Sequence, residues 1–216
     1  MRNFVYSVIV FAALAFVPAC SDDDPVQPTG LAGFLPLTTR DAVLNNLEVA
    51  WDNRVPSKID ELLDDNFTFY FSPGDVGGGL PVQWPRTDEL QATNDLFISN
   101  REPVPVGPEC QSVRIDLSLD EVTWDPIAAP ANALGETWYT AAVYYNFTFK
   151  MAPDDTYSSE PGAQAQLTVR EVAVGNGTEW RLVEWRDLGN SLVVGARQNS
   201  STNESTWGGI KALYRD

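Results

Sequence analysis

The sequence predicts an α+β domain in which a curved antiparallel sheet wraps around N-terminal helices. Apolar residues recur at helical spacing over residues 39–51 and again over Arg86–Ile98. Apolar and polar residues instead alternate with a period of two over Trp138–Met151 and Gln164–Val174. A period of two buries one face of a sheet and leaves the other partly wet, as expected for antiparallel strands.

Shorter patterns predict the remaining elements: a helix over 57–63, a strand over 67–71, a glycine-rich loop through 77–79, a strand over 113–124, a hairpin turn at 175–177 and a strand over 180–187. Near the end of the chain, Trp207, Ile210 and Tyr214 return to helical spacing. This spacing predicts a short terminal helix that docks on the domain, with a disordered end as the alternative.

The first 37 residues predict where in the cell the protein is located. Arg2 precedes an apolar run over 4–17, which has the length of a signal-peptide core and is short for a membrane span. The sequence Val17-Pro18-Ala19-Cys20 then resembles the lipobox of bacterial lipoproteins. The resemblance implies that residues 1–19 are removed and that Cys20 carries acyl chains. An ordinary secretory signal with a chance cysteine is the alternative.

Residues 20–37 are polar and rich in proline and glycine, which is typical of a flexible tether. Ser21 after the lipidated cysteine resembles the outer-membrane sorting pattern. We therefore expect a protein of the bacterial cell envelope that is held to the outer membrane, facing the periplasm, through the lipid on Cys20.

The composition excludes several functions. The chain has 14 basic and 30 acidic residues, and a formal charge of −16 disfavours nucleic acid as a partner. It contains no histidine, which excludes a Ser–His–Asp triad and histidine-ligated zinc. The acidic run at 22–24 lacks the glycine and distal glutamate of a calcium loop, so no metal or cofactor is predicted. Cys110 has no basic neighbour, which predicts a buried, unreactive thiol.

Two hydrophobic motifs resemble the nuclear transport factor 2-like superfamily. They are Leu47-Glu48-Val49-Ala50-Trp51 followed by the segment 59–69, and Trp180-Arg181-Leu182-Val183-Glu184-Trp185 near the end of the last long strand. The resemblance implies a cone-like domain over residues 38–190, with a polar loop and short helix over 191–216. It implies no particular function, because that fold carries isomerases, dehydratases, transport adaptors and assembly domains.

The resemblance also implies a pocket in the mouth of the cone. Strand parity makes five residues candidates for its lining: Tyr70, Tyr139, Tyr145, Phe147 and Glu171. A core or rim position is the alternative for the tyrosines, and a solvated strand end is the alternative for Glu171. No catalytic residue is predicted, and Asp95 is expected on the solvent side of its helix.

These observations favour an envelope domain that binds a small apolar ligand or a protein without catalysis. A structural homodimer, formed through the outer face of Trp138–Met151, is one alternative. A cofactor-free isomerase or lyase acting on a small apolar substrate is the other. It would need a carboxylate of raised pKa in a dry pocket.

Overall fold

The computed structural model describes residues 33–98, 109–131, 133, 135–152, 155–159, 162–189, 203–204, 206–212 and 214. The predicted signal peptide, Cys20 and most of the predicted tether lie outside these residues. So does most of the polar loop predicted from residue 191 onwards.

Most of the helices come first in the described part of the chain, and a run of strands follows them. In order they are α1 (Arg40–Asp52), α2 (Pro56–Leu62), β1 (Leu63–Tyr70), α3 (Pro73–Gly77), β2 (Gln83–Pro85), α4 (Arg86–Ile98), β3 (Cys110–Leu117), a 3₁₀ turn (Leu119–Glu121), β4 (Asp125–Ile127), β5 (Trp138–Met151), β6 (Asp155–Ser158), β7 (Gln164–Val174), β8 (Gly177–Gly189), β9 (Asn203–Glu204) and α5 (Trp207–Ala212). A helix long and apolar enough to cross a bilayer does not occur among the described residues.

The strands form one curved, open sheet in the order β2-β1-β8-β7-β5-β6-β9, with β3 and β4 also paired to β5. The pairs β1–β8 and β6–β9 are parallel, and the others are antiparallel. Helices α1 and α4 pack against this sheet. This arrangement confirms the predicted α+β fold with a curved sheet around N-terminal helices.

The side chains of α1 explain how the first helix forms and where it packs. Thr39 Oγ1 accepts a hydrogen bond from the Ala42 amide at 3.2 Å, which caps the helix. Val43, Leu47 and Ala50 are buried at the predicted spacing.

The structure differs from the sequence prediction where a local signal was weak. The strand predicted over 113–124 ends at Leu117, and the 3₁₀ turn begins at Leu119. Helix α3 precedes the predicted glycine-rich loop and ends at its first residue, Gly77; Ser72 caps the helix by accepting from the Asp75 amide at 3.2 Å. Cys110 is buried, and burial raises the pKa of its thiol to about 11.

Two carboxylates of α1 bind the backbone of β3. Asp52 Oδ1 accepts from the Ile115 amide at 2.8 Å, and Glu48 Oε1 accepts from the Leu117 amide. Burial is the main cause that raises the pKa of both carboxyl groups. Strand β3 pairs with β5 through one of its edges. The two carboxylates accept hydrogen bonds from amides on its other edge, which would otherwise have no acceptor.

Replacing Asp52 by alanine should therefore lower the free energy of unfolding by about 1–3 kcal/mol, because the Ile115 amide loses its acceptor. Asp52→Asn keeps an acceptor oxygen and should cost much less. Denaturant unfolding and the hydrogen-exchange rate of the Ile115 amide measure both effects. Equal losses in the two variants would contradict this role.

Candidate functional site

Helix α5 fills the concave side of the sheet. We call the space that it occupies the interior site, with walls formed by Trp51, Phe69, Glu89, Trp185 and Asp187. The Trp207 ring stacks parallel to the Trp185 ring at 5.3 Å between centroids, and its edge meets Trp51 at 4.4 Å. Trp207 is 1% exposed, so the mouth of the cone is filled by the chain's own side chains.

The sequence of α5 fits this position. Thr206 caps the helix by accepting from the Gly209 amide at 2.9 Å. Trp207 and Ile210 are buried on one face of the helix, and Tyr214, which follows the end of the helix, is buried as well.

The second position of α5 must be glycine for the helix to seat this deeply. A Cβ atom at Gly208 would lie 2.5 Å from Cδ1 of Phe71 and 2.9 Å from Oδ2 of Asp75. Contacts this short cannot occur without displacing the helix or the side chains that surround it.

A buried ion pair joins α5 to α4. Lys211 Nζ lies 2.6 Å from Glu89 Oε1, and the two side chains are 2% and 5% exposed. The other oxygen of Glu89 accepts from Nε1 of Trp84 at 3.2 Å. Burial lowers the pKa of Lys211 to about 8, an effect that the negative charges of Glu89 and Asp187 partly offset.

A carboxylate and a hydroxyl meet near the N-terminal end of α5. Tyr145 donates its hydroxyl to Asp187 Oδ1 at 2.9 Å, and the Gly189 amide donates to the same oxygen at 2.8 Å. Burial raises the pKa of Asp187 to about 6, although the amides of Gly189 and Gly208 and the Tyr145 hydroxyl act in the opposite direction. Burial and the Asp187 charge also raise the pKa of Tyr145.

Several polar atoms around α5 have no hydrogen-bond partner among the described residues. They are Oδ2 of Asp75, Oδ2 of Asp187, and Nε1 of Trp185 and of Trp207. The other oxygen of Asp75 accepts from the Thr206 hydroxyl at 2.6 Å. The contact between α5 and the sheet is therefore well packed but incompletely paired.

The structure brings two of the five predicted pocket residues into the interior. Tyr145 and Phe147 are buried on β5, with their rings stacked at 5.9 Å, and Phe147 lies 5.4 Å from Trp207.

The other three predicted residues lie elsewhere. Tyr70 is on the opposite face of the sheet from Phe69, because side chains alternate along a strand, and Arg186 stands 3.9 Å above its ring. Tyr139 packs under Arg40, at 3.9 Å. Glu171 accepts from the Thr178 hydroxyl at 2.6 Å and lines an open depression of about 440 Å³.

Sequence reasoning missed the charged residues of the interior site. Asp187 is two residues after Trp185 and so lies on the same face of β8, but nothing in the sequence predicted that a carboxylate there would be buried. Glu89 was missed because the spacing of Leu90, Asn94, Phe97 and Ile98 predicted that a different face of α4 would be buried. The structure instead buries Glu89, Ala92, Thr93, Leu96 and Phe97. The apolar spacing of Trp207 and Ile210 gave a signal for α5, but not for its position inside the cone.

The chemistry available at this site comes from carboxylates, a tyrosine hydroxyl and aromatic rings. Groups of three or more histidine, cysteine or acidic residues arranged to hold a metal ion do not occur in the described part of the chain.

Comparison with known proteins shows similarity of fold alone. No protein-family profile and no curated protein sequence matches the chain. Similar solved structures include a nuclear transport factor 2-like superfamily protein from Salmonella enterica, 12% identical, covering 72% of this chain and 92% of that one with a TM-score of 0.43. Another is a nuclear transport factor 2-like protein of unknown function in nutrient uptake from Rhodospirillum rubrum, 14% identical, covering 67% and 92% with a TM-score of 0.41. Both are named for the superfamily that the sequence resembles.

Because the pKa of Asp187 is raised in the folded protein, the free energy of unfolding depends on pH. Between about pH 4 and pH 6 the folded protein binds a proton that the unfolded chain has released. The free energy of unfolding therefore falls as pH rises through this window, by about 1 kcal/mol per pH unit from this group.

Asp187→Asn removes that titration and keeps an acceptor for Tyr145. Denaturant unfolding of both proteins between pH 4 and pH 7 should show the difference, with the wild type losing stability relative to the variant up to about pH 6. Glu48 and Asp52 titrate alike in both proteins, so their contribution cancels. Parallel pH profiles would contradict the assignment.

Proposed function

We propose that this protein is a lipid-anchored binding domain of the bacterial cell envelope, without catalytic activity, and that its ligand site is the interior site now held by α5. The observation that carries the proposal is the fit of α5. It presents Trp207 to a stack of aromatic rings and Lys211 to a buried carboxylate, as a bound ligand would.

The unpaired polar atoms around α5 support the proposal that α5 can leave the interior site and that a ligand can take its place. A buried donor or acceptor without a partner costs about 1–3 kcal/mol. Asp187 Oδ2 and the Trp185 Nε1 group belong to the walls, so they stay in place when α5 leaves. A ligand that pairs with Asp187 Oδ2 and Trp185 Nε1 gains hydrogen bonds that α5 leaves unmade, although the Gly208 amide of α5 already acts on the Asp187 carboxylate.

The short helix also favours exchange. Helix α5 has six residues, and two of them are Gly208 and Gly209. Glycine is the weakest helix former after proline, so α5 depends on its contacts with the interior and has little stability of its own.

Catalysis is the second candidate, because Asp187 and Tyr145 have the chemistry that it needs. A buried carboxylate of raised pKa beside a hydroxyl donor suits proton transfer on an apolar substrate. With α5 seated, however, the Trp207 ring fills this space and leaves no room for a substrate.

The homodimer alternative rests on the outer face of β5. Tyr144 is 46% exposed there, and Ala142 is exposed beside it. This surface stays a prediction.

Native-state hydrogen exchange tests whether α5 leaves the interior while the domain stays folded. We use the mature chain, residues 20–216, with Cys20→Ser so that no lipid is attached. The Ile210 amide, which donates to the Thr206 carbonyl just before α5, should exchange through a local opening that costs less free energy than global unfolding. The Leu167 amide, in the centre of the sheet, should exchange only by global unfolding.

Gly208→Ala should raise the exchange rate of the Ile210 amide at least tenfold, because the added methyl group meets Phe71. Gly77→Ala is the matched control, since a Cβ atom there has no neighbour within 4 Å. If Ile210 and Leu167 exchange at the same free energy, α5 is a permanent part of the core and the proposed function fails.

The anchor is tested separately in cells. The full chain should partition with the membrane and carry acyl chains at its N-terminus, detected by mass spectrometry. Cys20→Ser should release the protein from the membrane or leave it uncleaved, whereas Cys110→Ser should change neither property. A Cys20→Ser protein that is cleaved after residue 19 and still associates with the membrane would contradict lipid anchoring.

A further inference from the structure

The end of the Lys211 side chain lies among aromatic rings. Its Nζ atom is 4.0 Å from the ring centroid of Phe69, 4.7 Å from that of Trp207, 5.6 Å from that of Trp185 and 5.8 Å from that of Trp51. A cation within about 6 Å of a ring face is attracted by the negative potential of the ring, most strongly where water is excluded. The rings and Glu89 therefore form a cage around one ammonium group.

The interior site contains more acidic side chains than basic side chains among the described residues. Glu89 pairs with Lys211, but neither Asp187 nor Asp75 forms an ion pair with any described lysine or arginine. Asp187 is 1% exposed, and its Oδ2 atom has no hydrogen-bond partner within the described residues. The interior thus carries negative charge that α5 only partly balances.

Most of the cage does not belong to α5. Trp51 comes from α1, Phe69 from β1 and Trp185 from β8. Glu89 comes from α4. Nε1 of Trp84, in β2, donates a hydrogen bond to the second carboxylate oxygen of Glu89 and fixes the orientation of that side chain. When α5 leaves, three aromatic walls and a positioned carboxylate stay behind.

We propose that the interior site binds a small organic ammonium ion, whose place Lys211 takes when α5 is seated. This inference rests on the proposed exchange of α5. A neutral apolar molecule would contact the rings but leave the Glu89 carboxylate buried without a counter-charge. An anion would meet Glu89 and Asp187 as like charges. An alkylated ammonium ion satisfies both the rings and the carboxylate.

Choline and 3,3-dimethylbutan-1-ol test this on the mature chain with Cys20→Ser. The two probes have the same shape, and only choline is charged. Choline should bind the open state and raise the exchange rate of the Ile210 amide as the choline concentration rises. The increase should be about tenfold when the choline concentration is ten times the dissociation constant for the open state. The alcohol should leave the rate within twofold of the free protein.

Lys211→Ala provides a second test, because it removes three methylene groups and the ammonium nitrogen. The n-propylammonium ion replaces those atoms, and 1-propanol is its neutral counterpart. The ammonium ion should raise the melting temperature of Lys211→Ala in a concentration-dependent way, whereas 1-propanol should not. The matched control, Glu89→Gln with Lys211→Ala, should not respond to either compound.

Each outcome decides a separate point. If Lys211→Ala does not fold in buffer alone, recovery of its circular dichroism by n-propylammonium but not by 1-propanol supports the site equally. Equal responses to charged and neutral probes would overturn the ammonium proposal, even where the Ile210 amide shows local opening and the proposed function stands. Exchange of Ile210 only through global unfolding would overturn the proposed function itself.

Discussion

The buried pair between Lys211 and Glu89 is the interaction on which the arrangement of the interior depends. Burying two charges costs more free energy than their attraction returns unless further contacts satisfy both groups. Here Trp84 donates to Glu89, and the rings of Phe69 and Trp207 face the ammonium group. The pair therefore fixes α5 at one position along α4, where a purely apolar contact would allow it to slide. If the interior binds a ligand as we propose, the same pair makes it select for charge as well as for size.

Hydrogen bonds and an ion pair outside the interior site hold in place the helix and strands that form its walls. Arg170 of β7 holds Asp64 of β1 through two hydrogen bonds of 2.7 and 3.0 Å, across the intervening β8. Glu48 and Asp52 occupy the amides of β3, so α1 is fixed to that side of the sheet. With the sheet curved over the helices in this way, Trp51 and Trp185 both contact the Trp207 ring, the first edge-on and the second in a parallel stack.

The sequence predicted the elements whose signal is local and repeated. The strands Trp138–Met151 and Gln164–Val174 and the helix Arg86–Ile98 have the bounds that their periodicity predicted. Short strands such as Gln83–Pro85 were missed because three residues contain too little of a period to detect. The buried face of α4 was misplaced because Glu89 is buried through partners distant in the sequence. For the same reason a pocket was expected where α5 lies, since no local pattern shows that a helix fills the space between others.

The burial of Tyr214 and Trp207 has a consequence for how the domain is made. Trp207 and Tyr214 follow all the other described elements in the chain, so they are synthesised after the residues that they cover. Until they arrive, Trp51, Phe69 and Trp185 have no Trp207 ring to cover them. The nascent domain therefore exposes an aromatic, acidic concave surface until α5 has been synthesised and has docked. A chaperone that shields aromatic surface would bind the chain in that interval.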